Sequence, residues 1–286
     1  MGPDDLTVIG NTGDDTRVWG LHVSPDLDTV CYTLAGLVDA TKGWGLGDES
    51  FQALEAIARF GEPTWFNLGD RDLTTHLYRT RLLAEGHPLG EVTARIAAAL
   101  GVGPRVLPMS DQPVRTRILC PDGWLDFQEY FVRDKAAPQV RAVRYAGATE
   151  AVPAPGVLEA IRGARAVIVC PSNPITSIGP ILAVPGIAAA LADTRATIVA
   201  ISPIVGDAPV SGPAGRLMQA SGLPVSVVGV ARAYRPWLDI LVVDERDAAA
   251  AAGVRDAGAA ALVTDTLMTS REAEAALASR VLAALP

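Results

Sequence analysis

Two pairs of aspartates near the start of the chain are the strongest candidates for chemistry: Asp14 with Asp15, and Asp26 with Asp28. Like charges gathered at one place are costly unless a cation joins them, and Mg²⁺ binds carboxylate oxygens readily. Aspartate-rich turns are also common as helix caps and solvated loops. The residues alone therefore leave two interpretations open, a functional acidic loop and a structural turn.

The elements around these aspartates favour a ligand site. The β-branched run Leu6–Ile9 predicts a buried strand, and a turn signal follows it at Asn11–Gly13. After Ser24-Pro25, apolar residues recur at helical spacing over Leu27–Thr41, which places Asp26 or Asp28 at the N-cap or in the first turn. Ligands of open α/β sheets bind beyond the carboxyl ends of the strands, where this loop lies.

Composition limits the classes of protein that the chain can be. Its 286 residues are 49% hydrophobic, enough for one large domain or two modest ones. A formal net charge of −8 disfavours nucleic acid as a partner. The apolar runs are too short to cross a membrane, and we expect no signal peptide from Met1–Asp5, which lacks a basic region and an apolar core. Cys31, Cys120 and Cys170 are predicted to be buried free thiols in a reducing cytoplasm.

The order of predicted elements indicates an α/β fold: a three-layer, mostly parallel, Rossmann-like sheet with helices on both faces. We expect 1–286 to be a single domain, with 105–150 as an inserted smaller mixed α/β subdomain. Predicted strands lie at Arg105–Pro108, Ala166–Cys170, Thr197–Ile201, Val225–Val230, Ile240–Val243 and from Ala261. Predicted helices lie at Leu27–Thr41, Glu49–Phe60, Leu73–Glu85, Leu89–Leu100, Pro155–Gly163, Ala248–Ala252 and from Ser270 to Leu285.

Further polar loops could complete a site. Small donors at Ser172-Asn173 and Ser202–Gly206 follow predicted strands and suit a phosphate, although Asx turns and helix caps have the same composition. Arg115 could donate to a phosphate or form a surface salt bridge. His76, alone on a helix, is more often a structural residue than a catalytic one.

Several motifs together resemble one family, the 2-phospho-L-lactate transferases (CofD-like), which act in the synthesis of the deazaflavin coenzyme F-420. The matching segments are NTGDD, GLHVSPDLDTVCYTLAG, WFNLGDRDLTTHLYRT, PMSD and CPSNPITSIGPIL. The resemblance implies that the terminal ribityl hydroxyl of the deazaflavin Fo attacks a guanylylated three-carbon acid. GMP leaves and a new phosphodiester forms, with Mg²⁺ as the expected cofactor.

The resemblance also implies roles for individual residues. Catalysis and Mg²⁺ binding fall to Asp14, Asp15 and Asp26. Fo binding falls to Asp28, Asn67, Trp65 and Asp70. Nucleotide and phosphate binding fall to Ser172, Asn173, Ser202, Gly206 and Arg115. Asp28→Ala is then expected to abolish transfer and leave the fold intact.

The sequence departs from the family pattern at two positions, since Asn67 and Ser211 stand where basic residues are common. Family members begin with an earlier strand and a glycine-rich turn, which we expect to be missing here.

The donor is either the enolpyruvyl or the lactyl form, and an alanine- and arginine-rich composition hints at enolpyruvyl. The alternatives are a related nucleotide-sugar-binding regulatory protein without transferase activity and an inactive fragment. A cytoplasmic homodimer that acts on small molecules, with no nucleic acid or membrane partner, is the expected form.

Overall fold

The computed structural model describes residue 2 and residues 5–285. Most of the opening segment used above to judge a signal peptide therefore lies outside the described residues. The β-strands are β1 (Thr7–Gly10), β2 (Thr16–Val18), β3 (Leu21–Val23), β4 (Arg105–Pro108), β5 (Arg115–Cys120), β6 (Gly123–Asp126), β7 (Ala142–Ala146), β8 (Ala166–Val169), β9 (Thr197–Ile201), β10 (Ile204–Val205), β11 (Ala208–Pro209), β12 (Ile240–Val243) and β13 (Ala260–Val263).

The helices alternate with most of these strands. The α-helices are α1 (Pro25–Leu34), α2 (Gln52–Ala58), α3 (Asp70–Ala84), α4 (Leu89–Ala99), α5 (Val157–Gly163), α6 (Gly179–Ala183), α7 (Ile187–Asp193), α8 (Ala214–Ala220), α9 (Val227–Ala233), α10 (Ala251–Asp256) and α11 (Arg271–Leu282). Short π-helical segments lie at Glu129–Arg133 and Pro174–Ile178, and a 3-10 helix lies at Glu245–Ala250.

Parallel strands form the centre of the molecule and confirm the α/β class. β13, β12, β9 and β8 form a four-stranded sheet in that order, and β1 pairs in parallel with β4. In β9, Ile198 and Ala200 belong to the main hydrophobic core, whereas Val199 and Ile201 pack towards α11 on the opposite face. A strand buried on both faces needs apolar residues at successive positions, which explains the run Thr197–Ile201.

Residues 105–150 contain an antiparallel sheet in the order β6, β5, β7. Its buried residues Val114 and Ile118 belong to the same hydrophobic core as Ile198 and Leu241 of the parallel sheet. The antiparallel strands are therefore packed onto the parallel half through shared apolar contacts. The division into a domain with an inserted subdomain stays a prediction.

The predicted helix Leu27–Thr41 is too long, because α1 ends at Leu34. Gly36 has a φ of +70°, and the Leu37 amide donates to the carbonyl of Tyr32 at 2.8 Å, which closes the last turn. The helix predicted at Glu49–Phe60 likewise shortens to α2.

The strand predicted at Val225–Val230 is wrong, since these residues enter helix α9. Ser226 caps the helix by accepting a hydrogen bond from the Gly229 amide at 3.2 Å. The valines that favoured a strand are buried at helical spacing, with Val227 and Val230 in the core. Tertiary packing and a cap therefore outweigh the β propensity of the run.

The prediction that all three cysteines are buried is wrong for one of them. Cys170 is exposed, whereas Cys31 and Cys120 are buried as predicted. Cys170 directly follows β8, a strand at one edge of its sheet, where the neighbouring Ile168 is also exposed.

Within the described ranges, no single helix has the length and hydropathy to cross a membrane. One bent pair of helical segments, Pro174–Ala183 with Ile187–Asp193, meets the length and composition criteria for a membrane span.

Candidate functional site

The loop that follows β1 is held in place by a neighbouring strand and by its own asparagine. The Thr116 amide of β5 donates to the carbonyl of Gly13 at 2.7 Å, and the Gly13 amide donates to Asn11 Oδ1 at 2.7 Å. A Cβ on Gly13 would lie 2.7 Å from Thr116 Oγ1 and 2.8 Å from Pro180 Cβ. Only glycine therefore lets this turn approach β5 so closely.

Asn11 joins this loop to two other parts of the chain. Its Nδ2 donates to Asp26 Oδ2 at 2.9 Å and to the carbonyl of Thr176 at 3.1 Å. Thr176 belongs to the π-helical segment after β8. The loop after β1 thus contacts the segment that Asn173 caps after β8, although β1 and β8 belong to different sheets.

Asp14, Asp15 and Asp26, called here the acidic cluster, lie close enough for their charges to interact. Asp14 and Asp15 are buried, and Asp26 is partly exposed. Burial and the charge of Asp26 raise the pKa of Asp14 well above its usual range. Burial, opposed by the hydrogen bond from Asn11 and reinforced by Asp15, raises the pKa of Asp26 to about 6. A cation would relieve this repulsion.

Two oxygens of the acidic cluster meet the first requirement of a metal site. Asp14 Oδ1 and Asp15 Oδ1 are buried and have no hydrogen-bond partner among the described residues. The same part of the chain contains no group of three or more His, Cys, Asp or Glu side chains arranged to hold a metal ion. Mg²⁺ commonly takes only one or two carboxylates and completes its shell with water and substrate phosphates. The cluster therefore fits Mg²⁺ held jointly with a ligand, and it does not resemble an all-protein metal cage.

The fourth aspartate, Asp28, lies in a different electrostatic environment. Arg79 of α3 binds both of its carboxylate oxygens, and one of these contacts, from Arg79 Nη1 to Asp28 Oδ2, measures 3.1 Å. Burial disfavours a charged guanidinium, yet the Asp28 carboxylate raises the pKa of Arg79. Burial raises the pKa of Asp28, and the charges of Arg79 and His76 oppose that rise. The bidentate contact indicates an ion pair at neutral pH.

His76 and Asp72 extend this pair along α3. His76 Nδ1 lies 3.2 Å from Arg79 Nη1 and can accept from it, while His76 Nε2 lies 3.2 Å from Asp72 Oδ2. Tyr32 of α1 donates its hydroxyl to Asp72 Oδ1 at 2.7 Å. These five residues, Asp28, Arg79, His76, Asp72 and Tyr32, form what we call the Arg79 network. His76 is thus a buried member of this network, in keeping with the structural interpretation of its sequence context.

The segment predicted to bind Fo divides into separate environments. Trp65 packs edge-to-face with Phe66, their ring centroids 5.7 Å apart. The Asp70 carboxylate accepts hydrogen bonds from Ser50 Oγ and from the amides of Gln52 and Ala53, so it anchors the start of α2. Its predicted contact with Fo is untested, and its oxygens already have structural partners.

Asn67 is exposed and lines a shallow surface pocket together with Asp72 of the Arg79 network. Lys42 and Trp44 line the same pocket, and Lys42 Nζ lies 5.7 Å from the Trp44 ring centroid. The pocket combines an aromatic face, an amide and a cation, a set of groups that can flank a flat polar ring.

The predicted phosphate-binding loops are built mainly by their own hydrogen bonds. Asn173 Oδ1 caps the π-helical segment by accepting from the amides of Ile175 and Thr176. Ser202 is buried, with its hydroxyl bonded to the backbone of Ile204. The Gly206 amide donates to Asp247 Oδ2 at 2.9 Å. Contacts of these groups with a nucleotide stay predictions.

Of the two other residues of this predicted set, only Arg115 has a contact with the acidic loop. Arg115 Nη1 lies 3.4 Å from the carbonyl of Thr12 and 3.0 Å from that of Val114, so its guanidinium is beside the acidic loop. Ser172 lies in the loop after β8, and its amide donates to the carbonyl of Cys170 at 2.7 Å. Arg115 therefore places a positive charge beside the acidic loop.

Sequence reasoning did not select Arg79, Tyr32, Asn11 or His22, although the structure places them at the aspartates. One signal was available for Arg79. Asp72, His76 and Arg79 are spaced i, i+4 and i+7 on α3, which puts an acid, an imidazole and a base on one helix face. The hydrogen bonds of Tyr32 and His22 depend on tertiary packing and had no comparable signal.

The fold and site together define an α/β protein with an acidic cluster beyond the carboxyl end of the parallel strand β1. A profile of the family described as 2-phospho-L-lactate transferase CofD matches residues 2–282. The chain is 47% identical to a phosphoenolpyruvate transferase of Streptomyces griseus, with 98% of this chain and 90% of that protein covered. It is 42% identical to a 2-phospho-L-lactate transferase of Methanosarcina mazei, with 98% and 92% covered. The chain therefore belongs to the CofD family of transferases.

A solved structure shares the fold. A member of the UPF0052 family from Bacillus halodurans superposes with a TM-score of 0.61, over 97% of this chain and 92% of that one. The two sequences are 18% identical, so this likeness supports the architecture alone.

Proposed function

We propose that this protein transfers a phosphoenolpyruvyl group from its guanylylated diphosphate donor to the terminal ribityl hydroxyl of the deazaflavin Fo, releasing GMP, in the synthesis of coenzyme F-420. The observation that carries the proposal is the acidic cluster of a CofD-family chain, with unpartnered buried oxygens on Asp14 and Asp15 beside the Asn173 loop. A diphosphate and a divalent cation together would neutralise those carboxylates.

The choice of the enolpyruvyl donor rests on the relatives. Three relatives named phosphoenolpyruvate transferase, including the one from Streptomyces griseus, are 46–47% identical to this chain. Three relatives named 2-phospho-L-lactate transferase, from Methanosarcina, are 42–44% identical. The difference is small, and 2-phospholactyl transfer is the form that a direct assay must compare.

In the proposed reaction the Fo hydroxyl oxygen forms a bond to the phosphorus that bears the enolpyruvyl group. The bond from that phosphorus to the bridging oxygen breaks, and GMP leaves with the bonding electrons. The hydroxyl proton passes to a carboxylate of the acidic cluster, and we assign this role to Asp26 because its pKa of about 6 suits a group that accepts a proton near neutral pH. Magnesium bound at Asp14 and Asp15 would stabilise negative charge on the phosphate oxygens.

The remaining residues orient the two substrates in this proposal. Arg115, beside the acidic loop, would neutralise part of the diphosphate charge. The loop of Ser172 and Asn173 would hold the guanylyl part, and Asn67 would contact the deazaflavin ring. Asn11 holds the acidic loop against the π-helical segment, so that donor and carboxylates keep a fixed separation.

The test is incubation of the purified protein with Fo, the guanylylated enolpyruvyl donor and Mg²⁺, followed by chromatography for GMP and for the new phosphodiester. We expect GMP release that depends on Fo, is faster than with the lactyl donor, and stops in excess EDTA. Donor binding without Fo-dependent GMP would contradict the proposal and favour the nucleotide-binding alternative. Light scattering and cell fractionation test the accompanying expectation of a cytoplasmic homodimer.

A further inference from the structure

Asp15 is held by two donors that both use the same carboxylate oxygen. His22 Nε2 lies 2.8 Å from Asp15 Oδ2, and Ser24 Oγ donates to that oxygen at 3.0 Å. Because an ionised carboxylate can only accept, Nε2 carries the imidazole proton in this contact. The other oxygen, Asp15 Oδ1, is buried and has no hydrogen-bond partner within the described part of the chain.

The position of His22 is itself fixed by α3. Its backbone amide donates to Thr80 Oγ1 at 2.7 Å, and its carbonyl lies 3.5 Å from Arg79 Nη1. His22 is on β3 of the short hairpin formed by β2 and β3, directly before α1. The imidazole therefore reaches Asp15 from a backbone that is anchored on the neighbouring helix.

Ser24 provides independent evidence that the arrangement serves Asp15. It stands at the N-cap position of α1, where a serine side chain usually accepts a hydrogen bond from the helix backbone. Here Ser24 makes no such cap, and its hydroxyl is turned to Asp15 Oδ2 instead. Helix α1 therefore lacks the stabilisation of about 1 kcal/mol that a serine side chain at the N-cap normally provides.

We propose that His22 and Ser24 are positioning residues for a divalent cation, because together they occupy Asp15 Oδ2 and leave Oδ1 as the oxygen that faces the cation. This inference rests on the proposed function, since it assigns the pair to the magnesium of that reaction. Donors that fix the orientation of a carboxylate ligand commonly account for about 10–100-fold in metal affinity. Neither residue was selected from the sequence, and the contact depends on the fold of the hairpin.

The test measures binding of Mn²⁺, a paramagnetic substitute for Mg²⁺, to the full chain by electron paramagnetic resonance titration, alone and with GMP, whose phosphate oxygens can complete the coordination shell. His22→Ala should weaken Mn²⁺ binding by about 10-fold or more. His22→Gln should restore most of the affinity, because the glutamine Nε2 can donate where the imidazole Nε2 did. Ser24→Ala should lose less, and the double variant should bind more weakly than either single variant.

The matched control is His87→Ala, which removes a surface histidine that also pairs with a carboxylate, Glu91, at 3.2 Å. It should bind Mn²⁺ as the wild type does, and circular dichroism should show that every variant is folded. Equal Mn²⁺ affinity in wild type and His22→Ala would overturn the inference, as would failure of His22→Gln to restore binding. Absence of Mn²⁺ binding in the wild type would overturn it as well. Fo-dependent GMP release is measured separately, so its failure would be distinguishable from either result.

Discussion

The acidic cluster and the Arg79 network divide between them the four aspartates of one short stretch, and they surround these aspartates with different partners. Asp28 has an arginine on both oxygens, and Asp72 is held by His76 and Tyr32. In the described part of the chain, no lysine or arginine forms an ion pair with Asp14, Asp15 or Asp26, and oxygens of Asp14 and Asp15 have no partner. The fold thus pairs Asp28 with an arginine and leaves the acidic cluster with hydrogen bonds to neutral or histidine donors and with two unpartnered buried oxygens, an arrangement that a cation arriving with a ligand would stabilise.

The comparison also separates stability from function. The Arg79 network ties α1 to α3 through the ion pair of Arg79 with Asp28 and the hydrogen bond from Tyr32 to Asp72, so its loss should mainly destabilise the protein. The like charges of the acidic cluster repel one another in the folded protein. Replacing these aspartates should therefore stabilise the metal-free protein and abolish its activity, as is typical of functional sites. The predictions below test each half of this contrast.

The largest effect is expected when the buried ion pair is broken on one side. Asp28→Ala leaves the Arg79 guanidinium, which is 1% exposed, without its counter-ion. Removal of one partner from a buried pair costs about 3–5 kcal/mol of unfolding free energy. Urea denaturation measures this loss. The structure thereby changes the expectation, drawn from the resemblance alone, that Asp28→Ala would leave the fold intact.

A double variant provides the control for that measurement. Asp28→Leu combined with Arg79→Met removes both charges and keeps apolar volume, a replacement that is often close to neutral in stability. We expect it to be more stable than Asp28→Ala. A double variant that is as unstable as the single one would mean that packing, and not charge pairing, makes this region stable.

The second prediction concerns the repulsion in the acidic cluster. Because the pKa of Asp26 is raised to about 6 in the folded protein, the folded state binds this proton more tightly than the unfolded state. Protonation of Asp26 therefore stabilises the folded protein. This stabilisation is complete below the pKa that Asp26 has in the unfolded chain, and it is lost as the pH rises through about 6. In EDTA, the wild type should therefore lose up to about 3 kcal/mol of stability between pH 4 and pH 8 through this group.

Asp26→Asn should lack this pH-dependent loss, because its amide is neutral at every pH and its oxygen can still accept from Asn11. At pH 8 without metal it should melt at a higher temperature than the wild type, and it should release no GMP. A lower melting temperature at pH 8, or the same pH dependence as the wild type, would show that Asp26 is not under electrostatic repulsion.

The third prediction asks which of the two regions responds to a cation. Mg²⁺ should raise the unfolding free energy of the wild type by about 2.7 kcal/mol at a free concentration one hundred times its Kd. Asp14→Asn should lose most of this increment, because it replaces one of the oxygens that has no partner. Asp72→Asn, in the Arg79 network, should retain it. Thermal shift titrations with Mg²⁺ measure this response in all three proteins. An unchanged response in Asp14→Asn would show that the cation does not bind at Asp14.

Much of the fold could be predicted because its signals are local. β9 and β12 are uninterrupted apolar runs of strand length, and their predicted bounds, Thr197–Ile201 and Ile240–Val243, match the structure. The valine-rich segment at 225–230 misled the prediction, because a serine cap and burial against the core decide its conformation. The hairpin of β2 and β3 was also missed, since its strands are only three residues long.

The candidate site was less predictable, because charge pairing across the fold has no local signature. Asp14, Asp15, Asp26 and Asp28 look alike in the sequence, as acids in one polar stretch. What distinguishes Asp28 is Arg79, which is 51 positions further along the chain. Sequence reasoning could gather the four aspartates into one region, and only the three-dimensional contacts divide them between the acidic cluster and the Arg79 network.

The smallest expected effect is at the far end of the Arg79 network, at Tyr32. Tyr32→Phe removes the hydroxyl that donates to Asp72 Oδ1 and lies 2.8 Å from Thr75 Oγ1, and it leaves the buried ring in place. One such hydrogen bond is worth about 0.5–1.5 kcal/mol, somewhat more when the acceptor is charged. Urea denaturation should show a loss of this size, whereas the Mg²⁺ response should equal that of the wild type because the hydroxyl contacts no member of the acidic cluster among the described residues. If Tyr32→Phe leaves the stability unchanged but weakens the Mg²⁺ response, the acidic cluster and the Arg79 network act as one functional unit and the contrast between them is wrong.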